Sequence, residues 1–268
     1  MKLESMDHWQ LRAALEWQVE LGANETLLDA PVNRYETPAK PAAATITQAQ
    51  QPAPVAVEEV APDPVAEARN AAESAQDLTS LEAALAQFDH CELKRGARKF
   101  VFSDGKPTAR LMVIGDAPGR DEDRLGKPFA GQVGQLFDKM LAAIGLDRSA
   151  VDAEHAVYIT NVLPWRPPQS RDPQPEEIDM MRPFVQRHIE LVKPDVIIVM
   201  GNIACAALLG KSGITRLRGT WAETASIPVM PMCHPTQLLR TPEAKRDAWH
   251  DLLEIQEKLR KLNRGPHV

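Results

Sequence analysis

The sequence predicts an α/β protein: a three-layer α/β/α sandwich with a central, mostly parallel sheet, preceded by a helical and disordered N-terminal extension. Three observations carry that expectation. From about residue 99, short apolar runs alternate with longer segments of helical periodicity, the order that builds a parallel sheet with helices between strands. Three of the strand candidates are apolar throughout, as strands covered on both faces must be. Ahead of them lies a Pro- and Ala-rich stretch with little apolar periodicity, which cannot bury enough surface to order itself.

The elements follow in order along the 268 residues. Residues 1–30 carry apolar positions at helical spacing (Trp9, Leu11, Leu15, Val19) and stop signals at Gly22 and Asn24, so an amphipathic helix is expected. That helix is either a docking element for a protein partner or an extension without a role. Residues 31–64 form the linker, and residues 65–268 the folded domain. A helical pattern runs from Val65 to about Phe88, with Leu78, Leu81, Leu85 and Phe88 on one face. Strands are expected at Lys99–Phe102, Leu111–Gly115, Ala156–Thr160, Val196–Met200 and Pro228–Met232. Helices are expected at Gly134–Ile144, Pro175–Val192, Asn202–Leu209 and Glu243–Leu262.

Composition narrows the class. No apolar run is long enough to span a membrane, and the first residues lack the apolar core of a secretory signal. Three scattered cysteines (Cys91, Cys205, Cys233) make neither a disulfide framework nor a zinc pattern, which points to the reducing cytoplasm. The net charge of -6 is unevenly spread: residues 1–95 hold 7 of the 31 basic and 16 of the 37 acidic residues, which leaves the remainder at +3. A mildly basic body permits contacts to phosphate.

Ligands of parallel sheets sit beyond the carboxyl ends of the strands. Three candidates fall there. Asp116 follows Leu111–Gly115 and precedes Ala117-Pro118-Gly119, where a carboxylate either stabilises positive charge on a sugar or simply closes an Asx turn. Asn161 ends Tyr158-Ile-Thr-Asn; its amide suits the O4 and N3–H edge of a pyrimidine, and it equally suits a cap. His234 precedes Pro235 and can donate to an oxyanion. A carboxylate and an imidazole on two loops of one sheet edge suit the cleavage of a bond between a sugar and a base.

Loops add to these. Gly126–Gly134 is Gly-rich and leads into a helix, without matching a Walker or dinucleotide fingerprint; a nucleotide-binding enzyme is thus a weaker alternative. Within it Phe129 is either a stacking platform for a planar ligand or a plug under the loop. Arg166 and Arg171 sit on a proline-stiffened loop suited to gripping phosphate. Leu238, Leu239 and Arg240 read as an exposed apolar tip with a cation, able to wedge into a base stack.

Taken in order, GDAPGRDED, GKPFAGQVG, ITN, RPP, MGNIA, RLRG and HPTQLLR resemble the motifs of the family-4 uracil-DNA glycosylases, over about Phe88 to Leu259. The resemblance implies a hydrolase of N-glycosyl bonds that excises uracil from DNA and initiates base-excision repair. It makes Asp116 and His234 catalytic, and Gly115, Ala117, Phe129 and Asn161 substrate-binding. Arg166, Arg171, Leu238, Leu239 and Arg240 then contact DNA, and a monomer acting on uracil-containing DNA is expected.

Two departures stand out. The family's 4Fe-4S cluster takes four cysteines, and this chain has Phe88, Cys91, Trp165 and Met181 at those places, so no cluster and no other cofactor is expected. Asp116 replaces a glutamate, which sets the carboxylate about an angstrom further back. The shortened side chain leaves two alternatives: a weak or inactive DNA-binding repair scaffold, and a glycosylase for another damaged base.

Overall fold

The computed structural model describes residues 63–262. The expected N-terminal helix of residues 1–30 and nearly all of the linker lie outside them. Pro64, the last residue assigned to the linker, is instead the first residue of a helix.

Helices α1 (Pro64–Ser74) and α2 (Leu78–Gln87) come first, then a short α3 (Leu93–Gly96). The continuous helical pattern expected from Val65 to Phe88 is interrupted because Asp77 leaves the helix and caps the second one, accepting from Ser80 N at 2.7 Å. Strand β1 (Ser103–Gly105) lies just beyond the expected Lys99–Phe102, whose Phe102 carbonyl is taken by the Thr160 hydroxyl rather than by a neighbouring strand. Strand β2 (Leu111–Gly115) is followed by α4 (Arg120–Leu125) and α5 (Gly131–Ala143). Strand β3 (Val157–Asn161) leads to α6 (Pro175–Val192), β4 (Val196–Met200) and α7 (Asn202–Leu209). A turn of helix α8 (Ile214–Leu217) precedes the hairpin of β5 (Ala222–Thr224) and β6 (Ile227–Met232). Helices α9 (Pro235–Arg240) and α10 (Lys245–Lys261) close the described chain.

The six strands form one sheet in the order β1-β3-β2-β4-β6-β5. The central four run parallel and the two edge strands antiparallel. Every residue of β2, β3 and β4 is buried. Because successive side chains point to opposite faces, both faces of the sheet are covered and the layers number three. β5 went unforeseen: three residues of intermediate and exposed character carry no periodic signal.

Register is what builds the site. Gly115 lies beside Asn161 on β3 and beside Met200 on β4, and Met200 lies beside Met232 on β6. Four parallel strands thus end level, and the loops that follow them converge on one edge.

Candidate active site

Asp116, Asn161, Gly201 and His234 are all delivered to that edge. The loops after β2 and β3 are tied together by Val162 N donating to Gly115 O (2.9 Å) and Leu163 N to Asp116 O (3.1 Å).

Asp116 is half-buried and points across β4 toward the start of α7. Its Oδ1 accepts from Ala204 N at 2.8 Å. Burial pushes the carboxyl up to about 6, against the pull of the backbone N–H groups of Ala204, Ile203 and Asn202. Such an approach needs a glycine at position 201. Gly201 has φ +110°, and a Cβ there would lie 2.0 Å from Asp116 Oδ2. The result is a carboxylate fixed by a helix N-terminus.

Asn161 and Phe129 both lie against Gly115, whose absent Cβ would meet Asn161 Oδ1 at 2.4 Å and the Phe129 ring at 2.8 Å. Burial raises the Glu122 carboxyl, partly offset by the N–H groups of Gly119 and Phe129 and by the Asn161 amide, whose buried Nδ2 completes no well-formed hydrogen bond. A buried amide donor in such poor geometry is costly unless a further partner completes its bonding.

Phe129 is 1% exposed, so in the free protein it is a packed ring rather than an open platform. It contacts Phe137 (centroids 4.5 Å apart) and His234 (5.2 Å, planes 34° apart). The two alternatives for Phe129 are therefore compatible: the ring is a wall of the core and also a wall of the site.

His234 caps α9. Its Nδ1 accepts from Thr236 N at 3.2 Å and lies 3.0 Å from the Thr236 hydroxyl. A nitrogen that accepts from a backbone N–H carries no proton, so Nε2 holds it and faces away from that cap. Burial pushes the imidazole down to about 4, which keeps it neutral near pH 7.

Glu122 belongs to this site and was not singled out from the sequence. It is 6% exposed; Oε2 accepts from Gly119 N at 2.6 Å and Oε1 from Phe129 N. It ties the Asp116 turn to the Phe129 loop. The signal was present: an acidic residue three positions after Gly119, at the head of a helix, is a capping pattern.

One expectation about the DNA-contact residues needs correction. Leu238 is 1% exposed, because α9 turns its i and i+3 side chains toward the core, so it is no part of an exposed tip. Leu239 is half-buried and Arg240 exposed. Arg171 is engaged within the fold: its two terminal nitrogens bond Glu177 Oε2 at 2.9 Å and Oε1 at 2.6 Å. Arg166 bonds Ser170 Oγ at 3.2 Å from the same loop.

Phe88, Cys91, Trp165 and Met181, the positions at which the resemblance puts iron–sulfur ligands, are all buried in the apolar core. Phe88 meets Phe184 edge-on (5.5 Å), and Trp165 packs on Phe100 (5.9 Å). Cys91 is the single thiol of the set, and burial raises its pKa. One thiol among two aromatic rings and a methionine does not fit a cluster held by four thiolates.

Among the described residues no helix is long and apolar enough to cross a membrane. Residues 102–253 match the model of the uracil DNA glycosylase superfamily. The chain is 35% identical over 176 residues to a type-4 uracil-DNA glycosylase of Archaeoglobus fulgidus, covering 62% of this chain and 85% of the relative. It is 32% identical over 186 residues to a type-4 enzyme of Pyrobaculum aerophilum (66% and 91%). A type-5 uracil-DNA glycosylase of Pyrobaculum aerophilum is 29% identical over 146 residues (50% and 64%). With its motifs converging on one sheet edge and the family model matching more than half of its length, the chain belongs to the uracil DNA glycosylase superfamily.

Proposed function

We propose that this protein is a cluster-free, monofunctional uracil-DNA glycosylase that opens base-excision repair. Its substrate is a deoxyuridine flipped out of DNA, and its reaction is hydrolysis of the C1′–N1 bond. The observation that carries the reading is the buried, poorly satisfied Asn161 amide, which shares the Gly115 surface with the Phe129 ring, itself beside His234. A flat base with a donor–acceptor edge completes such a site, and the 5.2 Å between the rings sets the imidazole next to the stacked base.

In this reading the sugar develops oxocarbenium character as the bond lengthens. Asp116, ionised above about pH 6, stabilises that charge, and the α7 N-terminus holds its oxygens in place. Neutral His234 donates from Nε2 to the charge gathering on the departing base. Gly115 and Ala117 bring backbone close to the base, while Arg166, Leu239 and Arg240 are the residues proposed to meet DNA. The donor set around Cys91 supports a protein that folds without iron.

The capture of Asp116 by α7 favours one second reading, a weak or inactive DNA-binding scaffold, since a pinned short carboxylate reaches less far than a glutamate. Incubation with oligonucleotides holding a single uracil, unpaired or opposite G or A, followed by alkali, separates the two. Strand breaks lost in Asp116→Ala support the glycosylase. A folded protein that binds the DNA and leaves it intact supports the scaffold.

A further inference from the structure

Phe129 adopts φ +50°, a left-handed conformation that a bulky side chain rarely tolerates. Such strain persists only where the surroundings over-determine it. Its N–H is held by Glu122. Its carbonyl is held from the other side by a residue with no part in the proposed chemistry. Arg148 Nη2 donates to Phe129 O at 3.1 Å, and Nη1 donates to Pro128 O at 3.2 Å.

Arg148 is itself fixed. Nε bonds Asp138 Oδ1 at 2.7 Å and Nη1 bonds Asp104 Oδ2 at 3.2 Å. Its guanidinium carbon lies 5.7 Å from the centre of the Phe137 ring, the same ring that packs on Phe129. The Phe129 carbonyl reaches the guanidinium over a glycine, since a Cβ on Gly134 would lie 2.0 Å from Phe129 O. Two carbonyls, a ring face and two carboxylates match a planar fork of five donors, and a point-charge ammonium cannot satisfy them together. Arg148 makes no hydrogen bond to Asp116, Asn161 or His234 among the described residues.

We propose that Arg148 is a positioning residue for base binding: by clamping the carbonyls of Pro128 and Phe129 it sets the Phe129 ring at the angle a flipped base stacks on. The inference rests on the uracil-excision reading and adds a determinant outside the pocket.

The test is a double-substitution cycle on a uracil-containing oligonucleotide, with free uracil as a competitive probe of the base pocket. Displacing a stacking ring by about an angstrom costs on the order of a hundredfold in the limit. Arg148→Met is therefore expected to lower single-turnover kcat/KM about 10- to 100-fold and to weaken inhibition by free uracil by a similar factor. Binding of abasic-site DNA should stay within about twofold, since the phosphate contacts are elsewhere. In a Phe129→Leu background the Arg148 substitution should have no further effect, because its target is gone. Full multiplication of the two losses, or unchanged uracil inhibition, would overturn the proposal. Should Arg148→Met fail to fold, Arg148→Lys and Asp138→Asn run the same cycle under the same criteria. A wild-type protein that excises no uracil sinks the reading and this inference with it, whereas additivity in an active enzyme sinks the inference alone.

Discussion

Asp116 Oδ2 lies 2.0 Å from the point where Gly201 would carry a Cβ, although 85 positions separate the two residues in the chain. The carboxylate fills the space that a larger residue would occupy, and through it β2 and the start of α7 are coupled. Gly201→Ala is thus expected to expel the carboxylate as well as to strain a backbone at φ +110°. Uracil excision should fall to about the level of Asp116→Ala, with a stability loss of about 1–3 kcal/mol from the backbone alone. Parallel kinetic and urea-unfolding measurements check both; near-normal activity would show that the contact is dispensable.

The pH dependence of excision follows from the raised Asp116 carboxyl. A group at about 6 is protonated below that pH and charged above it, so the single-turnover rate should climb through pH 6 and level off above pH 7. In Asp116→Asn the climb should disappear along with most of the rate. A wild-type profile flat between pH 5 and 8 would contradict the assignment.

Stability should also fall toward acid, on account of two imidazoles whose protonation the fold opposes. His234 is held down at about 4 and His188, bonded to the Tyr158 hydroxyl at 2.7 Å, at about 3. Below the ordinary value of about 6.5 the unfolded chain takes up protons that the folded chain refuses, so folding weakens as pH falls from 6.5 toward 4. Asp116 acts the other way between 3.8 and about 6, because its folded form binds the proton more tightly. His188→Gln should flatten the acid limb of a melting-temperature profile; an unchanged slope would rule His188 out as its source.

The Nδ1 contact of His234 predicts a graded series. Thr236→Val removes the hydroxyl and leaves the backbone donor, so a loss of about 3- to 10-fold is expected, in line with one weakened neutral hydrogen bond. His234→Ala should cost far more. Nitrogen chemical shifts of the ring should report the Nε2–H form at pH 7, and the Nδ1–H form would reverse the assigned donor.

Iron content and the Arg171–Glu177 pair can be examined in one preparation. The purified protein should carry no stoichiometric iron, and Cys91→Ser should retain activity, since the lone thiol has no cluster to hold. Arg171→Met, by contrast, leaves a Glu177 side chain that is 8% exposed with only the Gln174 N–H for company. A stability loss of about 1–3 kcal/mol is expected, with DNA affinity nearly unchanged. A selective drop in affinity would return Arg171 to the DNA-contact set.

Much of the framework of strands and helices was legible residue by residue. Leu111–Gly115, Val196–Met200, Pro175–Val192 and Asn202–Leu209 fall where local pattern sets them, since each is bounded by its own glycine, proline or polar stop. Those bounds align the strand ends, and with them the level of Asp116, Asn161 and His234. The short edge strand β5 and the break between α1 and α2 lay beyond that reach. Three residues are too few for a period, and Asp77 acts through a cap rather than through hydrophobicity.

By itself, then, the sequence determined which residues arrive at the carboxyl edge of the sheet, because periodicity and turn chemistry act within a window of a few residues. Only the tertiary structure decided what each side chain meets there. Asp116 turns to α7, Arg171 to Glu177, Leu238 into the core, and Phe129 between Glu122 and Arg148. These partners come from other elements or from side-chain directions set by packing. No local pattern encodes a contact that exists only once the layers have closed around the sheet.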